Sequence, residues 1–531
     1  MKKYFLQTFG CAMNQADSEK LNMILLQSGF IKASEWSKAD IVVFNTCSVR
    51  QKGEDRVFGM INEVKKENKN RVQIGKSPIT VGITGCMVRK TGLASKHLEG
   101  EIKRNRAKKI EIAKEQSAIF NNDDKLFPRS ETIDFTLRIE DTKFLPLILT
   151  HIFKEPIGTD YKFDDYLKAK QLRENPSQAS IIIQTGCDNY CSYCIVPYTR
   201  GKENSRSIED IVSEAKEAVK AGAKEITLVG QNVNSYGKQW IDRKYWNEEK
   251  GKWNTNNSKL QITNYEKDNS NNNNIRNGKF AIEDGFKSPF RQLLEELDKI
   301  EGLDRIRFTS SNPHDMTQDI LDAHFELDKT CNYLHFALQS GSDDMLKKMN
   351  RKHSYVDFKK MVNYLRSKDP SFGISTDIIV GFSGETEVMF NETLKAFEEC
   401  QFDFTYNARY SVRPGTIAAK LYPDDISDTV KANRWHILND KLLENISKRN
   451  NLMLDKVEEI LISGEKDGYF FGRTRNFKEV FISKSIDSPL HSESLPLTSK
   501  EEIKEKQIKI GDLVKVKITG MDRYILTGEL V

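Results

Sequence analysis

The 531-residue chain lacks any apolar run of 18 residues, so nothing in it reads as a membrane-spanning helix. Residues 1–10 (MKKYFLQTFG) lack the long apolar segment of a secretory signal, which sets the expectation of a cytoplasmic protein. Charge of one sign is lacking too. Lys and Arg number 82 against 77 Asp and Glu, a net +5 that permits an anionic partner without demanding one. Histidine is scarce, and His314, His335 and His353 show no ligand spacing. Structural zinc normally takes four Cys or His ligands in paired groups, and no second pair is present here. Cysteine is scarce as well, with eight residues, but six fall into two orderly sets. In a reducing compartment such sets point to metal or catalysis rather than disulfides. Cys331 and Cys400 lie outside both sets and read as small buried hydrophobes.

The chain is organised around one stretch, Gly186-Cys187-Asp188-Asn189-Tyr190-Cys191-Ser192-Tyr193-Cys194. The apolar run Ile181-Ile182-Ile183 leads into it, so a strand delivers a C-x-x-x-C-x-x-C loop. A cubic four-iron cluster normally takes four thiolates. Three thiolates leave one iron open to a substrate or cofactor.

Residues 1–120 read as a parallel α/β unit. Strands are predicted over 3–8, 41–44 and 80–83, with helices over 14–28 and 49–66 between them. Each strand ends in a loop bearing a cysteine: Cys11, Cys47 and Cys86. Ligands of parallel sheets bind beyond the carboxyl ends of the strands, so these three converge at one edge. Three unrelated buried cysteines would not explain why each follows a strand end. Residues 121–175 read as a connecting segment in which residues 144–149 pack toward the next unit. The basic run over 103–109 reads as a solvated helix face.

Residues 176–448 repeat a strand–helix rhythm. Six strands are predicted, over 180–184, 225–229, 305–309, 333–338, 373–380 and 402–410, and nearly all end in Gly, amide or hydroxyl residues. Six such units form a partial (β/α)6 barrel whose reactive face is the carboxyl face. Residues 245–286, rich in Asn, Lys and Glu, interrupt this rhythm as a surface insertion. Residues 452–531 alternate apolar and polar residues between glycines, as a small OB-like β-barrel does. There, Gly472-Arg473-Thr474-Arg475-Asn476 gathers side chains suited to phosphate and ribose, which makes Arg473, Arg475 and Asn476 candidate RNA contacts; an ordinary exposed hairpin is the equal alternative.

Several motifs carry a family resemblance. They include residues 8–19 (TFGCAMNQADSE), 45–50 (NTCSVR), 186–201, 228–236 (LVGQNVNSY), 339–342 (QSGS), 376–382 (TDIIVGF) and 410–416 (YSVRPGT). On these residues the chain resembles the radical S-adenosylmethionine (SAM) methylthiotransferases, most closely their tRNA-modifying branch, and its end looks like a TRAM domain. The motif Gln231-Asn232-Val233-Asn234 and the run Cys47-Ser48-Val49-Arg50 look most like the branch acting on N6-isopentenylated adenosine. The chain departs from the family pattern at Asn312, Phe336-Ala337 and Ser383, none of which removes a ligand.

The resemblance implies that Cys187, Cys191 and Cys194 hold a [4Fe-4S] cluster that binds SAM. It implies a second [4Fe-4S] cluster on Cys11, Cys47 and Cys86 that carries the sulfur to be inserted. Gln339, Ser340, Gly381, Gly384 and Glu385 become candidate SAM contacts. The implied product is a 2-methylthio adenosine beside the tRNA anticodon. The implied partners are the anticodon stem-loop, an electron donor such as flavodoxin or ferredoxin, and a sulfur donor that the sequence does not name. The expected state is a monomer. Two other readings stand beside this one. One is the same chemistry on threonylcarbamoyl-adenosine or on a ribosomal protein; the other is a non-catalytic, metal-stabilised RNA-binding protein.

Overall fold

A computed structural model describes residues 1–47, 51–94, 96–97, 125–158, 166–173, 175–242, 287–483 and 508–531. The basic run over 103–109 and the insertion over 245–286 lie outside the described residues. Among the described residues no helix is long and apolar enough to cross a membrane.

The amino-terminal unit is a six-stranded sheet. Its spatial order is Ile31–Lys32, Lys3–Thr8, Ile41–Thr46, Thr80–Gly85, Phe135–Leu137 and Gly92–Leu93. Every pairing is parallel except the last, between Phe135–Leu137 and Gly92–Leu93. Ile41–Thr46 and Thr80–Gly85 are buried along their whole length, as central parallel strands covered on both faces must be. Helix Ala12–Gln27 covers one face through Leu21, Ile24 and Leu25. Helix Gln51–Gln73 covers the other through Val57, Ile61 and Val64.

This sheet corrects the expected boundary at residue 120. Phe135–Leu137 pairs in register with Gly82, Ile83 and Thr84, so part of the expected connecting segment belongs to the sheet. Helix Leu145–Phe153 packs on it, in a core that also takes Ile182 and Val229 from the second unit. The two units therefore share apolar packing rather than a linker.

The second unit has six parallel strands arranged in chain order as two three-stranded sheets. Gln178–Ile182, Glu225–Val229 and Arg305–Phe308 form one; Tyr333–His335, Gly373–Val380 and Phe404–Arg409 form the other. Single bridges, Ile306 to Thr330 and Ser311 to Phe336, join them into one arc. Among the described strands the first and last do not pair, so the barrel is partial. Its main core runs between strands and outer helices, from Ile181 and Leu228 through Phe308 and Phe336 to Ile378 and Phe397.

The last unit is a closed five-stranded barrel of Val457–Lys466, Tyr469–Arg473, Glu479–Ser483, Ile525–Leu530 and Leu513–Asp522. It docks on the amino-terminal ends of the second unit's strands. Arg305, the first residue of its strand, is fully buried and donates to the carbonyls of Arg473 and Glu459 at 2.7 Å each. Arg307 donates to the carbonyls of Thr474 and Arg475 at 2.7 and 2.8 Å. Phe477 stacks on Tyr333 with ring centroids 4.3 Å apart. Asp403 binds Lys478, Arg449 and Arg366 at 2.7, 3.1 and 3.3 Å. The terminal barrel thus plugs the end of the arc opposite its carboxyl edge.

Candidate active site

The cysteine loop begins at a position that only glycine fits well. Gly186 has φ +80°, and a Cβ there would lie 2.0 Å from the carbonyl oxygen of Lys202. The turn brings Cys187 back so that its N–H donates to Gly201 at 3.2 Å. Two side chains aim donors at the sulfurs. Asn189 Nδ2 lies 3.7 Å from Cys187 Sγ, and Arg351 Nη1 lies 3.5 Å from Cys191 Sγ. Burial first, and then the nearby cysteine sulfurs, push the Cys187 thiol up. Burial and Cys191 push Cys194 up to about 12. Three thiols packed this closely need a cation to become thiolates together. The loop lines a cavity of about 270 Å³ at the carboxyl edge of the arc, together with Gln231, Ser310, Gln339, Asp377, Tyr406 and Arg413.

The second set is positioned by strand register. Thr8 lies opposite Asn45, and Thr46 opposite Gly85, so the three carboxyl ends are level. Buried amides tie them together. Asn14 Nδ2 donates to Asn45 Oδ1 and to the Thr46 carbonyl at 3.0 and 3.1 Å, and Cys86 N–H donates to Thr46 at 2.8 Å. A Cβ on Gly10 would lie 3.0 Å from Cys47 Cβ, which places the Cys11 and Cys47 loops in contact. Cys47 and Cys86 are buried and Cys11 is exposed. A charge on Cys86 acts on Cys11 and also on Cys194 of the other set.

Arg200 connects the sets. It follows the first cysteine loop, yet its Nη2 meets Asp17 Oδ2 of the amino-terminal unit at 2.5 Å. Its Nε lies 3.5 Å from Cys86 Sγ. Both side chains of the ion pair are almost fully buried. Burial works against the guanidinium charge, but Asp17 and Cys86 outweigh it and hold the Arg200 pKa high.

Among the described residues no three His, Cys, Asp or Glu side chains gather tightly enough for a single metal ion. The fit to iron–sulfur clusters rests on the donor sets themselves: three thiols each, at the open edge of a parallel sheet, with cationic or amide donors on their sulfurs.

The other predicted residues divide. Gln339 lines the cavity, held at φ +77° with its N–H on the Asp377 carbonyl at 2.8 Å. Ser340 is buried against Thr393, away from the cavity lining. Glu385 is a brace: its Oε2 accepts the Gly381 N–H at 2.6 Å and Arg434 Nη1 at 2.8 Å. Gly384 N–H donates to Asp425 at 2.7 Å. The expected RNA loop is corrected in two of its three residues. Arg475 donates to the carbonyls of Asp328 and Thr330, and buried Asn476 donates to Ser371, so both dock the terminal barrel. Arg473 remains half-exposed, its guanidinium 4.0 Å from the centre of the Phe477 ring. Missing from the sequence-level set are Arg200, Arg351, Ser310 and Asp377. Arg200, Ser310 and Asp377 lie within a few residues of the cysteine loop or of a strand end, whereas Arg351 lies far from both in the chain and carries no such local signal.

Residues 181–397 match the model of the radical SAM superfamily, and residues 3–104 match that of the uncharacterized protein family UPF0004. The chain is 33% identical over 537 residues to the tRNA-2-methylthio-N(6)-dimethylallyladenosine synthase of Clostridium botulinum (strain Okra), covering 99% of this chain and 96% of the relative. The like-named protein of Caldicellulosiruptor saccharolyticus is 35% identical over 536 residues, covering 100% and 93%. The chain belongs to this synthase family. It is therefore a radical SAM enzyme whose cofactors include a [4Fe-4S] cluster and SAM. Among solved structures, the SAM methyltransferase TsrM of Kitasatospora setae, with tryptophan and a SAM analogue bound, covers 79% of this chain and 75% of its own at 13% identity and a TM-score of 0.42.

Proposed function

We propose that this chain attaches a methylthio group to C2 of N6-dimethylallyladenosine beside the anticodon of tRNA. In this reading Cys187, Cys191 and Cys194 hold the cluster that binds SAM, and Cys11, Cys47 and Cys86 hold a second. The observation that carries it is the meeting of two three-cysteine sets across Arg200. A radical enzyme without sulfur insertion needs only one set. When bound, the SAM cluster supplies one-electron chemistry, which a C2–H of negligible acidity requires.

The chain's own residues supply place and polarity. Arg351 and Asn189 donate to sulfurs of the first set, stabilising their charge, and Arg200 does so for Cys86. Gln339, Ser310 and Asp377 offer polar contacts around the cavity, while the Gly381 and Glu385 brace keeps the neighbouring loop in shape. The proposed partners are tRNA and an electron donor of the flavodoxin or ferredoxin class. The proposed setting is a cytoplasmic monomer.

Mass spectrometry of tRNA nucleosides from a strain lacking the gene tests this. Loss of the methylthio group with dimethylallyladenosine accumulating is the expected result. An unchanged nucleoside profile overturns the proposal, and loss of the group from another modified adenosine reassigns the substrate.

A further inference from the structure

The last strand of the arc, Phe404–Arg409, pairs with Gly373–Val380 on one side only among the described strands. Its alternation buries Thr405 and leaves Phe404 and Tyr406 on the other face, 38% and 37% exposed. These rings meet edge to face, with centroids 4.9 Å apart and planes at 77°. Phe404 also meets Tyr524 of the terminal barrel, 6.2 Å away at 68°, and Tyr524 is 44% exposed. Tyr406 lines the cavity beside the cysteine loop. Three part-exposed rings therefore form a strip from the terminal barrel to the cavity.

Other aromatics nearby are tucked away; Phe372, Phe397 and Phe402 are fully buried. Leaving three neighbouring rings in water forgoes apolar burial that this fold achieves elsewhere. The rings meet edge to face rather than stacked, and each keeps more than a third of its surface open to solvent. Arg409, which lines the cavity with Tyr406, and Arg523, next to Tyr524 in the chain, are both exposed.

We propose that this strip is a stacking track for unpaired RNA bases flanking the target adenosine. The inference rests on the function proposed above. Unpaired bases offer π-faces to Tyr524, Phe404 and Tyr406, and their phosphates meet Arg409 and Arg523. Paired bases of a duplex do not. The terminal barrel then contributes to RNA binding through its Arg523–Tyr524 turn, since Arg475 and Asn476 are committed to docking.

The test is fluorescence anisotropy with the full, cluster-loaded chain and an anticodon stem-loop RNA bearing N6-dimethylallyladenosine. A fully paired duplex of matched length is the control. Tyr524→Ala and Phe404→Ala should each weaken stem-loop binding by about 5- to 150-fold, at roughly 1–3 kcal/mol per stacked base. Tyr524→Phe and Phe404→Tyr should stay within about twofold of wild type, and duplex binding should not change. Alanine variants that bind the stem-loop like wild type overturn the strip. So does equal loss of stem-loop and duplex binding, or loss of reduction by a flavodoxin-type donor with RNA binding intact. A wild-type protein that does not bind the stem-loop at all overturns the functional reading along with the strip.

Discussion

Removing Arg200 should loosen the seam between the two cysteine sets. The Arg200 and Asp17 side chains are 2% and 0% exposed and 2.5 Å apart. Arg200→Gln leaves Asp17 buried with the Tyr166 hydroxyl as its remaining side-chain donor among the described residues. Breaking a buried pair from one side costs about 3–5 kcal/mol, because an uncompensated charge stays behind. Asp17→Asn strands the guanidinium instead, with Cys86 as its neighbour, and should cost a similar amount. The double variant leaves neither charge, so its cost should fall well below the sum. Arg200→Lys keeps the charge but loses the fork that spans Asp17 and Cys86, so an intermediate loss is expected. Hydrogen exchange reads this at the amides of Ala12–Gln27 and Thr80–Gly85. Each single variant should lose about two to three and a half orders of magnitude of protection there, up to the limit set by other opening routes. Single variants within about threefold of wild type, or a strictly additive double variant, would refute the coupling.

Asp403 makes the docking of the terminal barrel pH-dependent. Burial alone would raise its pKa, but Lys478, Arg449 and Arg366 outweigh burial and hold it at about 2 against an ordinary 3.8. Its stabilisation, about 2 kcal/mol, is present above pH ~4 and lost as pH falls toward 2. Proteolysis of the terminal barrel should rise over that window, and Asp403→Asn should flatten the dependence. Gly186→Ala should lose the iron held by the first set, since the left-handed backbone costs about 1–2 kcal/mol and the methyl meets the Lys202 carbonyl. Gly222→Ala, where an added methyl meets nothing within 4 Å, should keep its iron; equal loss in both variants counts against the turn argument.

The architecture was largely legible because parallel strands announce themselves. Ile41–Phe44 is a continuous apolar run, Thr80–Gly85 has no charged residue, and each strand ends where a cysteine begins. Phe135–Leu137 escaped notice because three residues carry no periodicity, and its pairing with Thr80–Gly85 is a non-local fact. The cysteines were readable for the same reason that Arg200 was not. A strand end can be located from local pattern, whereas Arg200 acts on a carboxylate 183 positions away. In Arg475 and Asn476, composition misled. Guanidinium and amide groups that suit phosphate and ribose suit backbone carbonyls equally, and buried docking took two of the three. Gly381 and Glu385 repeat the lesson, because a glycine-rich loop shows where chain turns tightly but not whether its acid faces a ligand or an arginine.

The central claim is that both cysteine sets hold clusters. Iron and sulfide should be measured after anaerobic reconstitution of the full chain and of two triple variants, Cys187→Ala/Cys191→Ala/Cys194→Ala and Cys11→Ala/Cys47→Ala/Cys86→Ala. Two clusters predict about eight irons in the wild type and about four in each variant. About four irons in the wild type, with none lost when Cys11, Cys47 and Cys86 are replaced, would contradict it.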